Sequence, residues 1–385
     1  MFYKNARIYG RDFQFHHGAF EVINGKFGTV FSDTVPDDAV DLNNATVIPG
    51  LIDIHTHGNS GVDFSDGDYA GLERMAAYYA SVGVTSFAPT SMTLPYARLE
   101  QAFSNVEKLV QKAPKGLSVP RGIHMEGPYF SYSRRGAQNA EHLKYPDIEG
   151  FQALQTACGN RIRIVDVAPE LPGAIAFIEQ AKELCTVSVA HTDADYEHGK
   201  EAFDAGATHL THLFNTMPGI HHRNPGVIPA AAENQNVRAE LICDGLHVHP
   251  SVVRLAFAVF GGARMILVSD SGRCCGMEDG NKFNLGGQEA CLQDGVARLS
   301  DGTIACSAIH LYDAMVNAIR FGIPEEDAIR AVTYNPACAI GAEQAVGSIE
   351  PGKQADFLVC NADFTERRVF LAGCELQSES KLQSR

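Results

Sequence analysis

Short apolar segments that end in polar or small residues recur eight times between residues 46 and 272. Between them lie segments such as GLERMAAYYASVG and AIAFIEQAKEL, whose apolar residues recur three and four positions apart. The first pattern indicates buried strands and the second indicates amphipathic helices. The eight strand-like segments are TVIPGLIDIH, GVTSFAPTS, VPRGIHME, IRIVDVAPE, CTVSVAHT, ATHLTHLF, RAELICDG and RMILVSDSG. Eight strand–helix units without a Gly-x-Gly-x-x-Gly motif favour a closed (β/α)₈ TIM-like barrel over an open doubly wound sheet.

The two ends of the chain have a different pattern. The first 45 or so residues alternate apolar and polar positions and are punctuated by glycines and Asn-Gly, which is typical of strands and hairpins. After the eighth strand-like segment we expect a helical region around LYDAMVNAIRFG, followed again by short strands in KQADFLVC and RRVFLAGCEL. We therefore predict an α/β protein with a catalytic barrel over residues 49–345. Residues 1–48 and 346–385 together would form a small β-sandwich domain.

Six metal-binding or proton-transferring side chains close five of the predicted strands. In DIHTHG, His55 and His57 occupy alternate positions, so both imidazoles project from one face of a strand. The others are Glu126, His191, His212 and Asp270, which close the third, fifth, sixth and eighth strands. Each residue alone could be an ordinary polar strand end. Because the active sites of such barrels lie at the carboxyl ends of the strands, the six together predict one site.

The ligand types in this set indicate the chemistry. Imidazoles and carboxylates without thiolates suit Zn²⁺, Fe²⁺, Mn²⁺ or Co²⁺ in an open catalytic site. Glu126, His191 and His212 would hold one ion, and His55 and His57 a second ion close by. A bound metal polarises a carbonyl and lowers the pKa of water, which predicts hydrolysis of an amide-like bond. Asp270 would then take the proton from the water and pass it to the leaving nitrogen.

Longer motifs place the chain near a known family. PGLIDIHTHG, HMEGPY, VAHTDAD, THLFNTMPGIHHRNPG, CDGLHV, VSDSG and GSIEPGKQADFLV together resemble the N-acetylglucosamine-6-phosphate deacetylases of the amidohydrolase superfamily, in order and over essentially the whole chain. The resemblance implies a homodimeric, metal-dependent enzyme that removes acetate from an amino-sugar phosphate. It also implies Glu126, His191 and His212 as ligands of one ion, zinc being the leading candidate. Asp270 would be catalytic, and His55 and His57 would be able to hold a second ion.

The resemblance also implies a set of substrate contacts. Arg223 would meet the phosphate, reaching the neighbouring active site across the dimer interface; its guanidinium matches phosphate oxygens well. For His221 and His222, phosphate contact and a solvent-facing loop role are both open. The remaining contacts would be Ala137, Gln138, Asn215, Thr216, Asp244, Gly245, Leu246, His247, Ile304, Ala305, Cys306 and Ser307.

Two departures from the family bear on the substrate. Gln138 stands where the family usually has a histidine that helps to hold the acetyl carbonyl, and an amide cannot carry a positive charge. The segment IACSAIHL stands where the family commonly has a Gly-Ser stretch, so that Cys306 and His310 could alter the sugar specificity. N-acetylgalactosamine 6-phosphate and other N-acyl amino sugars or amides therefore stay open as alternatives. A non-catalytic protein on this scaffold is disfavoured because every ligand and the proton shuttle are present.

Composition excludes several classes of partner. Asp and Glu outnumber Lys and Arg by 46 to 31, which gives a net charge of -15 and argues against nucleic acid or anionic membrane as a partner. No apolar run is long enough to span a membrane, and the N-terminal segment lacks the apolar region of a signal peptide, so we expect a cytoplasmic protein. The ten cysteines are irregularly spaced and form no Cys-x-x-Cys pair, which suggests neither a structural zinc site nor a disulfide framework.

Overall fold

The structure is a computed structural model that describes residues 1–32, 34–285 and 288–376. Its strands are β1 (Phe2–Tyr9), β2 (Phe15–Ile23), β3 (Lys26–Val30), β4 (Val40–Asp41), β5 (Thr46–Pro49), β6 (Leu51–Thr56), β7 (Gly58–Asn59), β8 (Val62–Asp63), β9 (Val84–Pro89), β10 (Val119–Pro120), β11 (Ile123–Met125), β12 (Ile162–Val167), β13 (Thr186–Val189), β14 (His209–Leu210), β15 (Arg238–Ile242), β16 (Met265–Val268), β17 (Lys282–Leu285), β18 (Gln288–Gln293), β19 (Val296–Leu299), β20 (Ile304–Ser307), β21 (Phe357–Cys360), β22 (Arg367–Leu371) and β23 (Cys374–Glu375).

The α-helices follow the strand-like segments as predicted. They are α1 (Tyr69–Ser81), α2 (Tyr96–Lys112), α3 (Ile148–Ala157), α4 (Ala174–Ala181), α5 (Tyr196–Ala205), α6 (Val227–Glu233), α7 (Pro250–Phe260), α8 (Leu311–Arg320), α9 (Glu325–Val332) and α10 (Tyr334–Ala339). Short 3₁₀ helices occupy Phe64–Asp66, Tyr132–Arg134 and Ala140–His142. In the described part of the chain, no helix is long and apolar enough to cross a membrane.

Helix α1 illustrates how the pattern produces the packing. The Asp68 carboxylate accepts hydrogen bonds from the backbone of residues 70 and 71, which caps the first turn. Leu72, Met75 and Tyr79 recur at helical spacing and are buried. The Tyr79 ring packs on Phe87 of β9 with centroids 5.0 Å apart. The apolar stripe of the helix therefore fixes it against the outside of the strand layer.

Eight parallel strand positions form the barrel. Strands β6, β9 and β10 make one run, and β11 to β16 pair in sequence order in a second run. A parallel bridge between Thr90 and His124 joins the runs. On the other side, the Asp270 backbone N–H donates to the His55 carbonyl at 2.9 Å, which links the eighth strand back to the first. The predicted (β/α)₈ barrel is confirmed.

The first predicted strand is wrong in one respect, since TVIPGLIDIH is two strands. Strand β5 pairs with β1 and β21 in the sheet of the small domain, whereas β6 pairs with β9 in the barrel. The break falls at Gly50, where a Cβ atom would collide with Thr85. The absence of a side chain there lets the chain pass closely over β9 as it enters the barrel.

The small domain is built from both ends of the chain. Its strand order is β23-β22-β21-β5-β1-β2-β3, with β4 beside β1. Phe27 and Phe357 lie four strands apart in that order, and a flat sheet would separate them by about 19 Å. Their ring centroids are 6.0 Å apart. The sheet therefore folds over on itself, sandwich-like, around a core that also contains Tyr3, Phe20 and Phe370. We predicted that residues 377–385 also belong to this domain, but they lie outside the described residues.

A four-stranded antiparallel sheet, β17 to β20, follows the eighth barrel strand. The predicted helical region around LYDAMVNAIRFG is confirmed as α8, which begins at Leu311, but the sheet that precedes it was not predicted. The Asp294-Gly295 pair in the sequence indicates a hairpin turn. In the structure these residues have φ of 50° and 80°, as a tight two-residue hairpin requires. A bridge between Ser271 and Ser307 fastens this sheet beside the carboxyl end of the barrel.

Candidate metal centre

The six predicted residues converge at the carboxyl end of the barrel. His55 is in β6, and the other five follow the ends of their strands by one or two residues. His191, His212 and Asp270 have φ of 44°, 28° and 46°, in the left-handed region that non-glycine residues seldom adopt. Such conformations cost free energy and cluster at functional sites, where the surrounding structure holds them.

Glu126 is the centre of the cluster. Its Oε1 atom lies 3.1 Å from His191 Nε2 and 3.2 Å from His212 Nε2. Its Oε2 atom lies 3.4 Å from His57 Nε2, and His55 Nε2 lies 3.6 Å from Oε1. All five side chains are buried. One carboxylate therefore faces two pairs of imidazoles, one pair from β6 and one from the loops after β13 and β14.

Backbone carbonyls determine which nitrogen of two rings carries the proton. His57 Nδ1 lies 3.2 Å from the Thr90 carbonyl oxygen, and His191 Nδ1 lies 2.9 Å from the Arg134 carbonyl oxygen. A carbonyl can only accept, so each Nδ1 must donate, and in the neutral rings each Nε2 presents a lone pair to Glu126. This arrangement is typical of metal-binding histidines.

The donor set fits divalent metal. The Nε2 atoms of His191 and His212 are 3.2 Å apart and both face Glu126, which places lone pairs against a carboxylate. His55 Nε2 is buried and has no hydrogen-bond partner among the described residues. A cation between these atoms would satisfy them. Glu126, His191 and His212 could hold one ion, and His55, His57 and Glu126 a second.

Asp270 stands beside the cluster and reaches the open side of the site. Its Oδ1 atom lies 3.3 Å from His57 Nε2 and 3.6 Å from His55 Nε2. Burial raises the pKa of Asp270, but the two imidazoles outweigh burial and hold the pKa below its usual range. The side chain is therefore an ionised carboxylate that can accept a proton.

The carboxylates act on the imidazoles in return. Burial lowers the pKa of His57, but Asp270 and Glu126 outweigh burial and raise it to about 9. Burial is likewise outweighed at His212, where mainly Glu126 raises the pKa to about 9. Below that pH, metal must displace protons from these rings as it binds.

A cavity of about 210 Å³ opens above the cluster. Among the residues lining it are seven of the predicted substrate contacts: Ala137, Gln138, Asn215, Thr216, His247, Ile304 and Ala305. The amide of Gln138 is held in one orientation, because its Oε1 accepts from the Thr93 N–H at 2.7 Å and its Nε2 donates to Glu126 Oε2 at 2.7 Å. The N–H₂ group of Gln138 therefore points to the carboxylate of Glu126, a candidate metal ligand.

The loop after β15 contributes to the cavity through one side chain. Asp244 accepts from His247 Nδ1 at 2.6 Å and from two backbone N–H groups, so it orients His247 and does not itself line the cavity. Gly245 does not line it either, and the Leu246 side chain is exposed. These three residues lie outside the cavity lining, and their contact with the substrate stays a prediction.

Two predicted contacts in strand β20 also lie outside the cavity lining. Cys306 is buried with its Sγ 3.9 Å from that of Cys274, and the Ser307 hydroxyl donates to the Ser269 carbonyl. Neither side chain lines the cavity, whereas those of Ile304 and Ala305 earlier in the same strand do. His310, expected to influence the sugar, instead caps the first turn of α8.

Arg223 lies in an exposed loop, together with His221 and His222, and does not line the cavity of its own chain. No lysine or arginine is among the described residues that line the cavity. The contact of Arg223 with a phosphate in the neighbouring active site stays a prediction.

A polar layer directly beneath the metal ligands was not predicted. It consists of Asp53, His124, Asp166, His209 and Glu240, all buried. For two of these residues the sequence contains a signal that could have predicted their position. Asp53 and His124 precede His55 and Glu126 by two positions, so each lies on the same strand face as the candidate ligand that follows it.

His124 in this layer is not a metal ligand, although it lies near His55 and Glu240. Its Nδ1 lies 2.9 Å from the Ile54 carbonyl oxygen and its Nε2 3.0 Å from Asp166 Oδ1, so both nitrogens donate. Burial lowers the pKa of His124, but Asp166 outweighs burial and raises it to about 10. A ring protonated on both nitrogens has no lone pair for a metal.

A parallel (β/α)₈ barrel with imidazoles and carboxylates at the carboxyl ends of its strands defines the class of metal-dependent hydrolases. Residues 46–374 match the sequence model of the amidohydrolase family. The chain belongs to this family, and within it to the N-acetylglucosamine-6-phosphate deacetylases.

Individual relatives support this assignment. N-acetylglucosamine-6-phosphate deacetylase of Vibrio furnissii is 34% identical over 93% of this chain and 88% of its own length. N-acetylgalactosamine-6-phosphate deacetylase of Escherichia coli O157:H7 is 31% identical over 89% of this chain and 90% of its own. A mutant of N-acetyl-D-glucosamine-6-phosphate deacetylase from Mycobacterium smegmatis, solved with N-acetyl-D-glucosamine-6-phosphate, superposes with a TM-score of 0.91 at 31% identity, covering 97% and 98% of the two chains. The chain is a hydrolytic enzyme of a family that uses divalent metal.

Proposed function

We propose that this enzyme removes the acetyl group of N-acetylglucosamine 6-phosphate, which yields acetate and glucosamine 6-phosphate. The observation that carries the proposal is Asp270, an ionised carboxylate placed 3.3 Å from the ligand atom of His57 at the floor of the cavity. The names of the relatives at 34% and 31% identity support a phosphorylated N-acetyl amino sugar as substrate.

The residues divide the work of the reaction. Glu126, His191 and His212 would hold a divalent ion, which when bound would polarise the amide carbonyl and lower the pKa of water. Asp270 takes the proton of the attacking water as the new carbon–oxygen bond forms. It passes that proton to the amine nitrogen as the carbon–nitrogen bond breaks, so it ends as the carboxylate with which it began.

We propose Zn²⁺ as the ion, with Fe²⁺, Mn²⁺ and Co²⁺ as alternatives, because the donors are imidazole nitrogens and carboxylate oxygens. His55 and His57 would hold a second ion. The free thiols of the ten cysteines, including Cys274 and Cys306 at 3.9 Å, fit a reducing compartment and support a cytoplasmic location.

The absence of lysine and arginine from the described cavity lining supports a phosphate contact from a second copy of the chain. The cavity offers no lysine or arginine among its described lining residues, whereas Arg223 is exposed on the loop that follows Asn215 and Thr216 of the lining. We propose a homodimer in which Arg223 of each protomer reaches the neighbouring active site. The guanidinium would bind two phosphate oxygens at once, which a lysine cannot do with the same geometry.

N-acetylgalactosamine 6-phosphate is the second candidate substrate. It is favoured by the similarity to the E. coli enzyme named for that sugar. The two sugars differ only in the configuration of one hydroxyl, so the residues lining the cavity decide between them.

Acetate release from four compounds tests the proposal. These are N-acetylglucosamine 6-phosphate, N-acetylgalactosamine 6-phosphate and the two sugars without phosphate. We expect kcat/KM to be highest for the first and at least a hundredfold lower without phosphate, since a charged contact of about 3 kcal/mol is lost. Preference for an unphosphorylated compound would refute the proposed substrate.

A further inference from the structure

Glu240 lies directly beneath the metal ligands and is completely buried. It comes from β15, and its two carboxylate oxygens reach imidazoles from two other strands. Oε2 lies 2.8 Å from His55 Nδ1, and Oε1 lies 2.9 Å from His209 Nε2. A carboxylate buried this deeply within an enzyme barrel needs such partners to remain charged.

We propose that Glu240 is a positioning residue that makes His55 a ligand of a second divalent ion, held together with His57 and Glu126. It does so by fixing the proton of His55 on Nδ1 and the plane of the ring, so that Nε2 faces the ligand cluster without a proton. This inference rests on the proposed function only in taking the cluster to be a metal site, whatever the substrate.

The proton positions follow from what each atom can do. An ionised carboxylate can only accept hydrogen bonds, so His55 Nδ1 must be the donor. A neutral imidazole has one N–H, so Nε2 of His55 keeps its lone pair. That atom is buried without a partner among the described residues, and it lies 3.6 Å from both Glu126 Oε1 and Asp270 Oδ1. It is therefore prepared for a cation that would also meet these carboxylates.

His55 differs in this respect from the other candidate ligands. The Nδ1 atoms of His57 and His191 face backbone carbonyls, and that of His212 has no partner among the described residues. Among the candidate ligands, and within the described part of the chain, only His55 has its Nδ1 atom hydrogen-bonded to a carboxylate, that of Glu240. A carboxylate at this position increases the basicity of the imidazole and its affinity for metal.

Two substitutions separate the charge of Glu240 from its ability to accept a hydrogen bond. In Glu240→Gln, the amide oxygen can still accept from His55, while the amide N–H₂ turns to His209. His209 can shift its proton, because its Nδ1 has no partner. The variant therefore keeps the orientation of His55 and loses the negative charge. Glu240→Leu removes both.

The matched control is Asp166→Asn. Asp166 is a buried carboxylate of the same layer, but it accepts from His124 and Thr211 and does not touch a proposed ligand. Its substitution tests whether any charge removed from this layer disturbs the metal centre.

The experiment is a calorimetric titration of the metal-free proteins with Zn²⁺, combined with the measured metal content of each protein. We expect two ions per wild-type protomer. In Glu240→Gln the second ion should bind 10- to 100-fold more weakly and the first unchanged, which is the usual effect of losing such a partner. Glu240→Leu should bind one ion, and Asp166→Asn two. Circular dichroism establishes that each variant is folded, and Glu240→Gln decides the matter should Glu240→Leu unfold.

Nitrogen chemical shifts of His55 in labelled protein give a second readout. Wild type and Glu240→Gln should show the proton on Nδ1, and Glu240→Leu should not. A wild-type protein that binds one ion, or variants at Glu240 that bind the second ion as tightly as wild type, would overturn the inference. If the wild-type protein binds both ions and the variants behave as expected, but the wild type does not deacetylate the proposed substrate, the substrate is refuted and the role of Glu240 is retained.

Discussion

Gln138 donates its side-chain amide to Glu126, with Nε2 only 2.7 Å from Oε2 of the carboxylate on which the whole cluster is centred. Its own oxygen is held by the backbone N–H of Thr93. Gln138 replaces the usual histidine of the family and lines the cavity. Its side-chain N–H₂ group, however, is hydrogen-bonded to the candidate metal ligand Glu126.

Substitution of Gln138 tests this relationship. A hydrogen bond to a charged group contributes about 1.5–3 kcal/mol, so Gln138→Ala should weaken the binding of the ion at Glu126 by roughly 10- to 100-fold. Gln138→Glu should weaken it less, because a bound cation relieves the repulsion between the new carboxylate and Oε2. Calorimetric titration with Zn²⁺ measures both. Unchanged metal affinity with a raised KM would show that Gln138 serves the substrate instead.

Mixed dimers test whether Arg223 acts across the interface. Arg223→Ala should raise KM for the phosphorylated sugar with little change in kcat, because the contact is remote from the reacting amide. When Arg223→Ala and Asp270→Asn proteins are unfolded and refolded together, each mixed dimer should contain one intact site, so about a quarter of wild-type activity should return. The same variants kept separate serve as controls. No recovery in verified mixed dimers would place Arg223 in its own active site, and an Arg223→Ala protein with unchanged KM would place it outside any.

Metal removal should affect stability as well as activity. Only the folded chain holds the candidate ligand atoms of His191, His212 and Glu126 within 3.2 Å of one another, so a cation would bind the folded state alone. A chelator should therefore abolish acetate release and lower Tm, and Zn²⁺ should restore both, with Tm rising with ion concentration. Thermal unfolding with and without added Zn²⁺ measures this. A Tm independent of metal would contradict the assignment of these residues as ligands.

The small domain gives a prediction independent of the metal. Phe357 is fully buried and its ring packs on those of Tyr3, Phe20 and Phe370. Phe357→Ala should lower the free energy of unfolding by about 3–5 kcal/mol through the cavity it leaves. Denaturant unfolding provides the value, and kcat of the folded fraction should remain near that of wild type. A loss below 1 kcal/mol would show that the two halves of the sheet are not packed as described.

The sequence predicted the barrel and the convergence of the candidate ligands at the carboxyl ends of its strands because both follow from local patterns. Strand ends share one face of a barrel, so His57, Glu126 and Asp270 could be brought together without knowing any distance. The contact of Glu240 with His55 could not be predicted in the same way, because it depends on how β15 and β6 face each other across the barrel. The orientation of Cys306 depended on the register of β20, where a shift of one residue exchanges the inner and outer faces.

The central claim is that Asp270 moves the proton for hydrolysis at the metal centre, and Asp270→Asn tests it most directly. Asparagine keeps the shape of the side chain but cannot accept and return the proton. We predict that acetate release from N-acetylglucosamine 6-phosphate falls by about 10²–10⁴-fold in kcat, with metal content matched to wild type. A variant with equal metal content and near wild-type kcat would contradict the account.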